Sequence, residues 1–364
     1  MGYLGLTLNL ILAALGTAAL LALMGAIYQR AGRASDARHF PPLGRLIDIG
    51  GANLHVYTIG EGSPPVVFEA GVAATSLSWQ LVQTEIAKFT QTASYDRAGL
   101  GWSGASLQPR TIWDVADELR TLMDRADIPK PRILVAHSYG ALVAIAYAVR
   151  HPSEIAGMVL VDPVATCEWG EPSESHLKTL RRGILLSRRG ALLARLGVVR
   201  LALGLLAAGS QRLPKMIARA SSGRGAPITD QIVGQVRKLP SELWPIIQSH
   251  WCDPKCFEGM ARYLEALPQS AAAVAQELAL MDALRDVPLT VLSAGNASPI
   301  QRAEHETFAR RSSHGKIEVV PGSGHWIQVD RPDAVIQASR EMVARNGGRS
   351  TGSKTTFEIV SMFR

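Results

Sequence analysis

The hydrophobic positions of this chain fall into distinct regimes. From Leu4 to Ile27 they run almost without interruption. Thr7, Asn9 and Thr17 are the mild exceptions, and no charged side chain occurs from Met1 to Gln29. At about 1.5 Å rise per residue this stretch spans roughly 36 Å as a helix, enough to cross the core of a bilayer. A cleaved signal peptide would have a basic start and an apolar run of only about 7–15 residues. The chain has no Lys or Arg before its longer run, so residues 1–29 are expected to be a retained single-pass transmembrane anchor. Arg30, Arg33 and Arg38 follow it, with Asp36 the single acid among them. Positive flanks favour the cytoplasmic side, so the simplest orientation has the N-terminus out and the main domain in. Residues 30–44 read as a linker ending in the turn signal Pro41-Pro42-Leu43-Gly44.

Beyond the linker the period shortens. Arg45–Asp48 and Asn53–Ile59 are short β-like runs joined at Gly50-Gly51, as in an antiparallel hairpin. Apolar runs then alternate with helical stretches. Strands are predicted at Pro65–Glu69, Thr92–Tyr95, Ile133–His137 and Gly157–Val161, and helices at Leu77–Phe89, Thr111–Ala126 and Tyr139–Arg150. The alternation resumes with strands at Leu289–Ser293 and Ile317–Val320 and helices at Ile300–Arg311 and Pro332–Ala344. Repeated βα units after a hairpin imply an α/β fold, a mostly parallel sheet with helices on both faces. The core is thus expected in residues 45–162 and 288–346. The interval 163–287 reads as all-helical, mainly Leu177–Ala208, Thr229–Ser249 and Cys256–Leu284, and is expected to be a cap inserted between two strands. Small and polar residues open the segment 347–364, which is expected to be a disordered tail.

The run Ile133-Leu134-Val135-Ala136-His137-Ser138-Tyr139-Gly140-Ala141 is a strand, a sharp turn and a helix. Small residues stand two before and two after Ser138, the spacing a strained nucleophile elbow needs, because larger side chains at Ala136 or Gly140 would collide with neighbouring elements. Such a turn presents Ser138 Oγ at a strand end and leaves the Tyr139 backbone N–H free to bind an oxyanion. A second signal, Val319-Val320-Pro321-Gly322-Ser323-Gly324-His325-Trp326, places His325 on a Gly-rich loop before the last helix, where it can serve as general base. His55, His137 and His151 read as structural.

On these residues the chain resembles the α/β-hydrolase superfamily from about Leu43 to Arg345, cap included. The resemblance extends to Val66-Val67-Phe68-Glu69-Ala70-Gly71-Val72 and to Ser94-Tyr95-Asp96-Arg97-Ala98-Gly99-Leu100-Gly101-Trp102-Ser103. It implies that the backbone N–H of Val72 is the second oxyanion donor, although many relatives have His-Gly where this chain has Ala70-Gly71. Asp96, Arg97 and Gly99 read as scaffold, and Glu69 is expected to pair with Arg97, since a strand-end carboxylate needs neutralising. The acid departs from the common pattern: Gly295-Asn296-Ala297-Ser298-Pro299 holds no carboxylate. The superfamily's alternative position, the end of the preceding strand, holds Asp162. Asp162 is therefore the expected acid, with a relay through Asn296 or Ser298, or a carboxylate from the cap, left open.

Composition narrows the class. The chain of 364 residues is 47% hydrophobic and 19% charged, a balance that excludes a disordered chain. Its three cysteines exclude a disulfide scaffold. The net charge of +7 is concentrated, with eleven Lys or Arg and no acid from Ser175 to Thr229, Arg181, Arg188, Arg200, Arg212 and Lys215 among them. Interleaved with the Leu-rich run Gly190–Ala208, this charge suits an anionic membrane surface, or simply the solvated outside of a cap. Nucleic acid is excluded as a partner, because the run lacks aromatics to stack on bases. Cys252 and Cys256, with His250 nearby, have poor metal spacing and no fourth ligand. No phosphate loop or dinucleotide fingerprint occurs, and no cofactor is expected.

The whole reads as a membrane-anchored serine hydrolase cleaving carboxylic esters, with a small apolar acyl or ester substrate and Ser138, His325 and Asp162 as catalytic residues. Acyl transfer or C–C bond hydrolysis by the same residues, and a non-catalytic ligand-binding protein of the same fold, are the alternatives.

Overall fold

A computed structural model describes residues 2–105, 111–207, 234–280 and 282–347. The basic residues Arg212 and Lys215, the start of the helix expected at Thr229, and the tail beyond residue 347 lie outside the described residues.

Eight strands form one sheet in the order β1-β2-β4-β3-β5-β6-β7-β8. They are β1 (Arg45–Asp48), β2 (Asn53–Ile59), β3 (Val66–Glu69), β4 (Thr92–Tyr95), β5 (Arg132–His137), β6 (Ile155–Val161), β7 (Leu289–Ala294) and β8 (Gly315–Val320). The first two pair antiparallel, as do β2 and β4, and every later pair is parallel. The central strands read as unbroken apolar runs because both faces are covered. Ile133, Val135, Val159 and Val161 join one cluster, with Trp79, Val82, Ile86, Val335 and Met342. Leu134, Leu160 and Val291 join the other, with Val115, Leu119, Leu142 and Phe308.

The first helix, α1 (Gly2–His39), is long and apolar enough to cross a membrane, and its apolar window is wholly exposed. It also corrects the expected linker: residues 30–39 continue the same helix, leaving only Phe40–Gly44 as a connection. The continuation is held by the cap rather than by helix propensity alone, through contacts of Gln29, Arg33 and Asp36 described below. The helices between strands are α2 (Gln80–Ile86), α3 (Ile112–Arg125) and α4 (Tyr139–Arg150). In α3 the apolar positions Ile112, Val115, Leu119 and Leu122 repeat at helical spacing and are buried, and Thr111 with Asp114 forms a capping box at its start.

The cap occupies the connection between β6 and β7. Its described helices are α5 (Thr166–Trp169), α6 (Glu174–Arg195), α7 (Val198–Ala207), α8 (Trp244–Cys252) and α9 (Pro254–Leu280). The helical stretch expected over Leu177–Ala208 is divided at Gly197, whose φ of 72° ends α6 and turns the chain into α7. Pro254 opens α9, as its fixed φ favours. Three helices complete the core: α10 (Pro299–Arg310), α11 (Ile327–Asp330) and α12 (Pro332–Gly347).

Candidate active site

Parallel pairing decides where the polar strand ends meet. His137 pairs with Val161, and Val161 with Leu292, so Ser138 and Asp162 leave adjacent strands at the same edge of the sheet. The Ser138 amide donates to the Val161 carbonyl at 3.1 Å, and the Asp162 amide to Leu292 at 2.7 Å. His325 arrives on the loop after β8, at the carboxyl edge where open α/β sheets place their sites.

Ser138 has φ 55° and ψ −120°, a conformation that side chains rarely adopt, and it caps α4. The elbow closes tightly on β3. A Cβ on Gly140 would lie 2.6 Å from the Glu69 carbonyl oxygen and 2.7 Å from that of Ala70, so only glycine fits there. Ser138 Oγ lies 2.9 Å from His325 Nε2, and His325 Nδ1 lies 2.6 Å from Asp162 Oδ2. A carboxylate only accepts, so the Nδ1 proton points to Asp162 and Nε2 is left to accept the Ser138 hydroxyl proton. Asp162 itself has φ 43°, a left-handed conformation that Asp tolerates, and its second oxygen accepts the Ala294 amide at 2.8 Å. Burial would raise its pKa, but the hydrogen bond and charge of His325, together with the Ala294 amide, outweigh burial and hold the carboxyl below its usual value.

Tyr139 is the first residue of α4, where an N–H has no intrahelical acceptor. Val72 stands on the loop after β3. That loop lies against the elbow, since a Cβ on Gly71 would be 3.6 Å from Ser138 Cβ and 2.9 Å from His137 Nδ1. Beneath it the expected pair of Glu69 and Arg97 is formed, both side chains buried. Arg97 donates in addition to the carbonyls of Ala70, at 2.5 Å, and Gly71, and Tyr95 donates to Glu69. Burial alone would favour neutral Arg97, but the Glu69 charge overrides it and raises the guanidinium pKa. Arg97, read from sequence as scaffold, thus holds the backbone of the loop that carries Val72.

His137 has a contact that sequence reasoning missed. Its Nε2–H donates to the His325 carbonyl at 2.8 Å, and its ring lies 4.7 Å from that of His325. Burial first, then the neighbouring His325, lowers its pKa to about 3, so the ring is neutral. The signal was its position beside the elbow serine, but which loop it would face depended on the fold.

Two spaces flank the site. An apolar cavity of about 300 Å³ lies under the cap, bounded by Ala73 and Trp326, next in chain to Val72 and His325, and by Val199, Leu203, Phe257 and Met260. On the other side a polar groove of about 570 Å³ is lined by Asp162, His325, Asn296, Lys238 and Asp330. Asn296 borders that groove, and Ser298 caps α10, accepting the Gln301 amide at 3.2 Å. Cys252 and Cys256 are free thiols, and burial pushes Cys256 up to about 12. Among the described residues no cluster of His, Cys, Asp or Glu could hold a metal ion.

Comparison with known proteins agrees with this architecture. The Alpha/beta hydrolase family matches residues 66–338. The uncharacterized protein YqjL of Bacillus subtilis is 38% identical over 104 residues, 29% of this chain and 41% of the relative. A 2-hydroxymuconate semialdehyde hydrolase of a Pseudomonas strain is 30% identical over 127 residues, 33% of this chain and 44% of the relative. The chain thus spans under half the length of these curated relatives. Among solved structures, an esterase from Thermogutta terrifontis superposes with a TM-score of 0.58 at 22% identity, covering 83% of this chain and 99% of the esterase. An enol-lactonase from Burkholderia xenovorans gives 0.56 at 21%, covering 82% and 100%. These likenesses are of fold. With the family match extending over most of its length, this chain belongs to the alpha/beta hydrolase family.

Proposed function

We propose that the protein is a membrane-anchored serine hydrolase that cleaves carboxylic esters through an acyl-enzyme on Ser138. The observation that carries this reading is the chain of contacts from Ser138 Oγ to His325 Nε2 at 2.9 Å and from His325 Nδ1 to Asp162 at 2.6 Å. Ser138 Oγ attacks the ester carbonyl carbon and passes its proton to His325 Nε2, while Asp162 stabilises the imidazolium. The backbone N–H groups of Tyr139 and Val72 receive the oxyanion. The tetrahedral intermediate then collapses, the C–O bond breaks, and the leaving alkoxide takes the proton from His325. Water, deprotonated by His325, attacks the acyl-enzyme, releases the acid and restores Ser138. The polar groove beside His325 suits the entry of that water, and the apolar cavity suits the acyl chain. The exposed apolar length of α1 supports the anchor.

A C–C bond hydrolase using the same residues is the second reading, favoured by the similarity to the 2-hydroxymuconate semialdehyde hydrolase. An acyl transferase would use the same acyl-enzyme with an alcohol or amine in place of water. The reason to consider a non-catalytic binder, an acid absent from the loop after β7, loses weight because Asp162 reaches the imidazole from β6.

The test is labelling of the purified protein by a fluorophosphonate, together with turnover of p-nitrophenyl esters of increasing chain length. Labelling and turnover that disappear in Ser138→Ala are expected. Folded wild-type protein that neither labels nor turns over any ester would reject the proposal.

A further inference from the structure

The anchor helix is clamped to the cap at a defined height. Its apolar run ends at Ile27, and at Gly25 it meets the corner between α6 and α7. A Cβ on Gly25 would overlap the Leu196 carbonyl oxygen, and one on Gly197 would lie 2.7 Å from the Gly25 carbonyl oxygen. Just beyond, Gln29 is buried, donating to the Cys252 carbonyl at 2.7 Å and lying 3.0 Å from Arg200 Nε. Arg200 reaches Asp36 at 2.6 Å, and Arg33 reaches Asp253 at 3.2 Å. The α6–α7 corner therefore sits where the membrane-length helix changes from apolar to polar.

The composition of α7 is unusual for a surface helix. Its ten residues carry a single charge, Arg200, which turns toward α1 instead of outward. One face, with Val199 and Leu203, walls the apolar cavity. The opposite side exposes Leu201, at 47%, where an ordinary amphipathic helix would place a polar side chain. The preceding helix adds exposed Leu192 among the exposed Arg188, Arg189 and Arg195, the composition of a helix lying at a lipid surface.

We propose that the outer face of α7, through Leu201, rests in the bilayer surface that α1 enters, and that the cavity behind it receives the acyl chain of an ester residing in that bilayer. The occupant of this apolar face is lipid, because the face continues the exposed apolar surface of α1; of the bordering arginines, Arg188 and Arg195 pair with Glu265 and Glu258, and Arg189 is the one complementary to anionic headgroups. The substrate half of this inference rests on the ester hydrolase reading; the docking half does not.

The test uses the full-length protein in vesicles of phosphatidylcholine and phosphatidylserine. In Leu201→Trp, tryptophan emission should be quenched by lipids brominated on their acyl chains by more than the seven native tryptophans account for. No added quenching overturns the docking. In the variant Leu201→Asp, kcat/KM for a long-chain p-nitrophenyl ester embedded in vesicles should fall at least about tenfold, with water-soluble p-nitrophenyl acetate within about twofold of wild type. Equal losses on both esters, or no loss on either, overturn entry from lipid. Failure of the hydrolase reading registers separately as absent fluorophosphonate labelling of the wild type, and the quenching result then decides the docking by itself.

Discussion

His325 Nδ1 and Asp162 Oδ2 lie 2.6 Å apart, although 163 residues and the whole cap separate them in the chain. The carboxylate comes from the end of β6, beside the strand that carries Ser138, and not from the loop after β7. Its second oxygen is held by the Ala294 amide, so β7 contributes a backbone donor in place of an acid. The geometry thus leaves the imidazole with one protonated and one accepting nitrogen, as proton transfer from Ser138 requires.

Replacement of Asp162 by Asn tests that role with little cost to the fold, since Asn also tolerates the left-handed backbone at this position. The amide can donate to Nδ1 and favour the wrong tautomer. We expect kcat for ester hydrolysis to fall by about 10³–10⁴ with KM little changed. A loss smaller than tenfold would move the acid elsewhere.

Arg97 is expected to matter for stability more than its distance from the chemistry suggests. In Arg97→Met the Glu69 carboxylate remains buried with only the Tyr95 hydroxyl, and the Ala70 and Gly71 carbonyls lose their donor. Breaking such a pair from one side costs about 3–5 kcal/mol. Glu69→Gln, which leaves a neutral hydrogen-bonding group, should cost less. Chemical denaturation of both variants gives the comparison, and equal costs would contradict the assignment of charge at this site.

Acid should weaken the fold through its buried neutral imidazoles. Burial lowers His137 to about 3 and His250 to about 4, whereas an unfolded histidine titrates near 6.5. Both pKa values are depressed, so below about pH 6.5 the unfolded chain binds protons that the folded chain does not. Stability from this source is complete above about pH 6.5 and declines on acidification, by about 1.4 kcal/mol per pH unit for each group, until the folded-state values are reached. His250 packs edge-on against Trp102 at 4.6 Å, so His250→Phe retains a ring there. Between pH 6 and 4.5 the variant should show a slope shallower by about one proton in denaturation free energy against pH. An unchanged slope would mean that His250 is not the titrating group.

Local patterning made much of this protein legible. Alternating apolar runs and helical periods marked the strands and helices, because both faces of a parallel sheet must be covered and each helix needs one apolar face. Small residues around Ser138 marked the elbow, because the turn leaves no room for larger ones, as Gly140 shows against Glu69 and Ala70. His325 was marked by a glycine-rich loop after a strand. Other features depended on which strands became neighbours. The sequence shows that Asp162 ends a strand, but only the order β5-β6-β7-β8 brings it beside His325. The continuation of α1 through His39 was likewise invisible, because Gln29 read as the end of the anchor and Arg33 and Asp36 as linker residues until Arg200, Cys252 and Asp253 are placed against them. Periodicity records how a residue relates to its near neighbours in the chain. Contacts made across more than a hundred residues leave no period, and they exist only once the sheet has ordered its strands and the cap has folded over them.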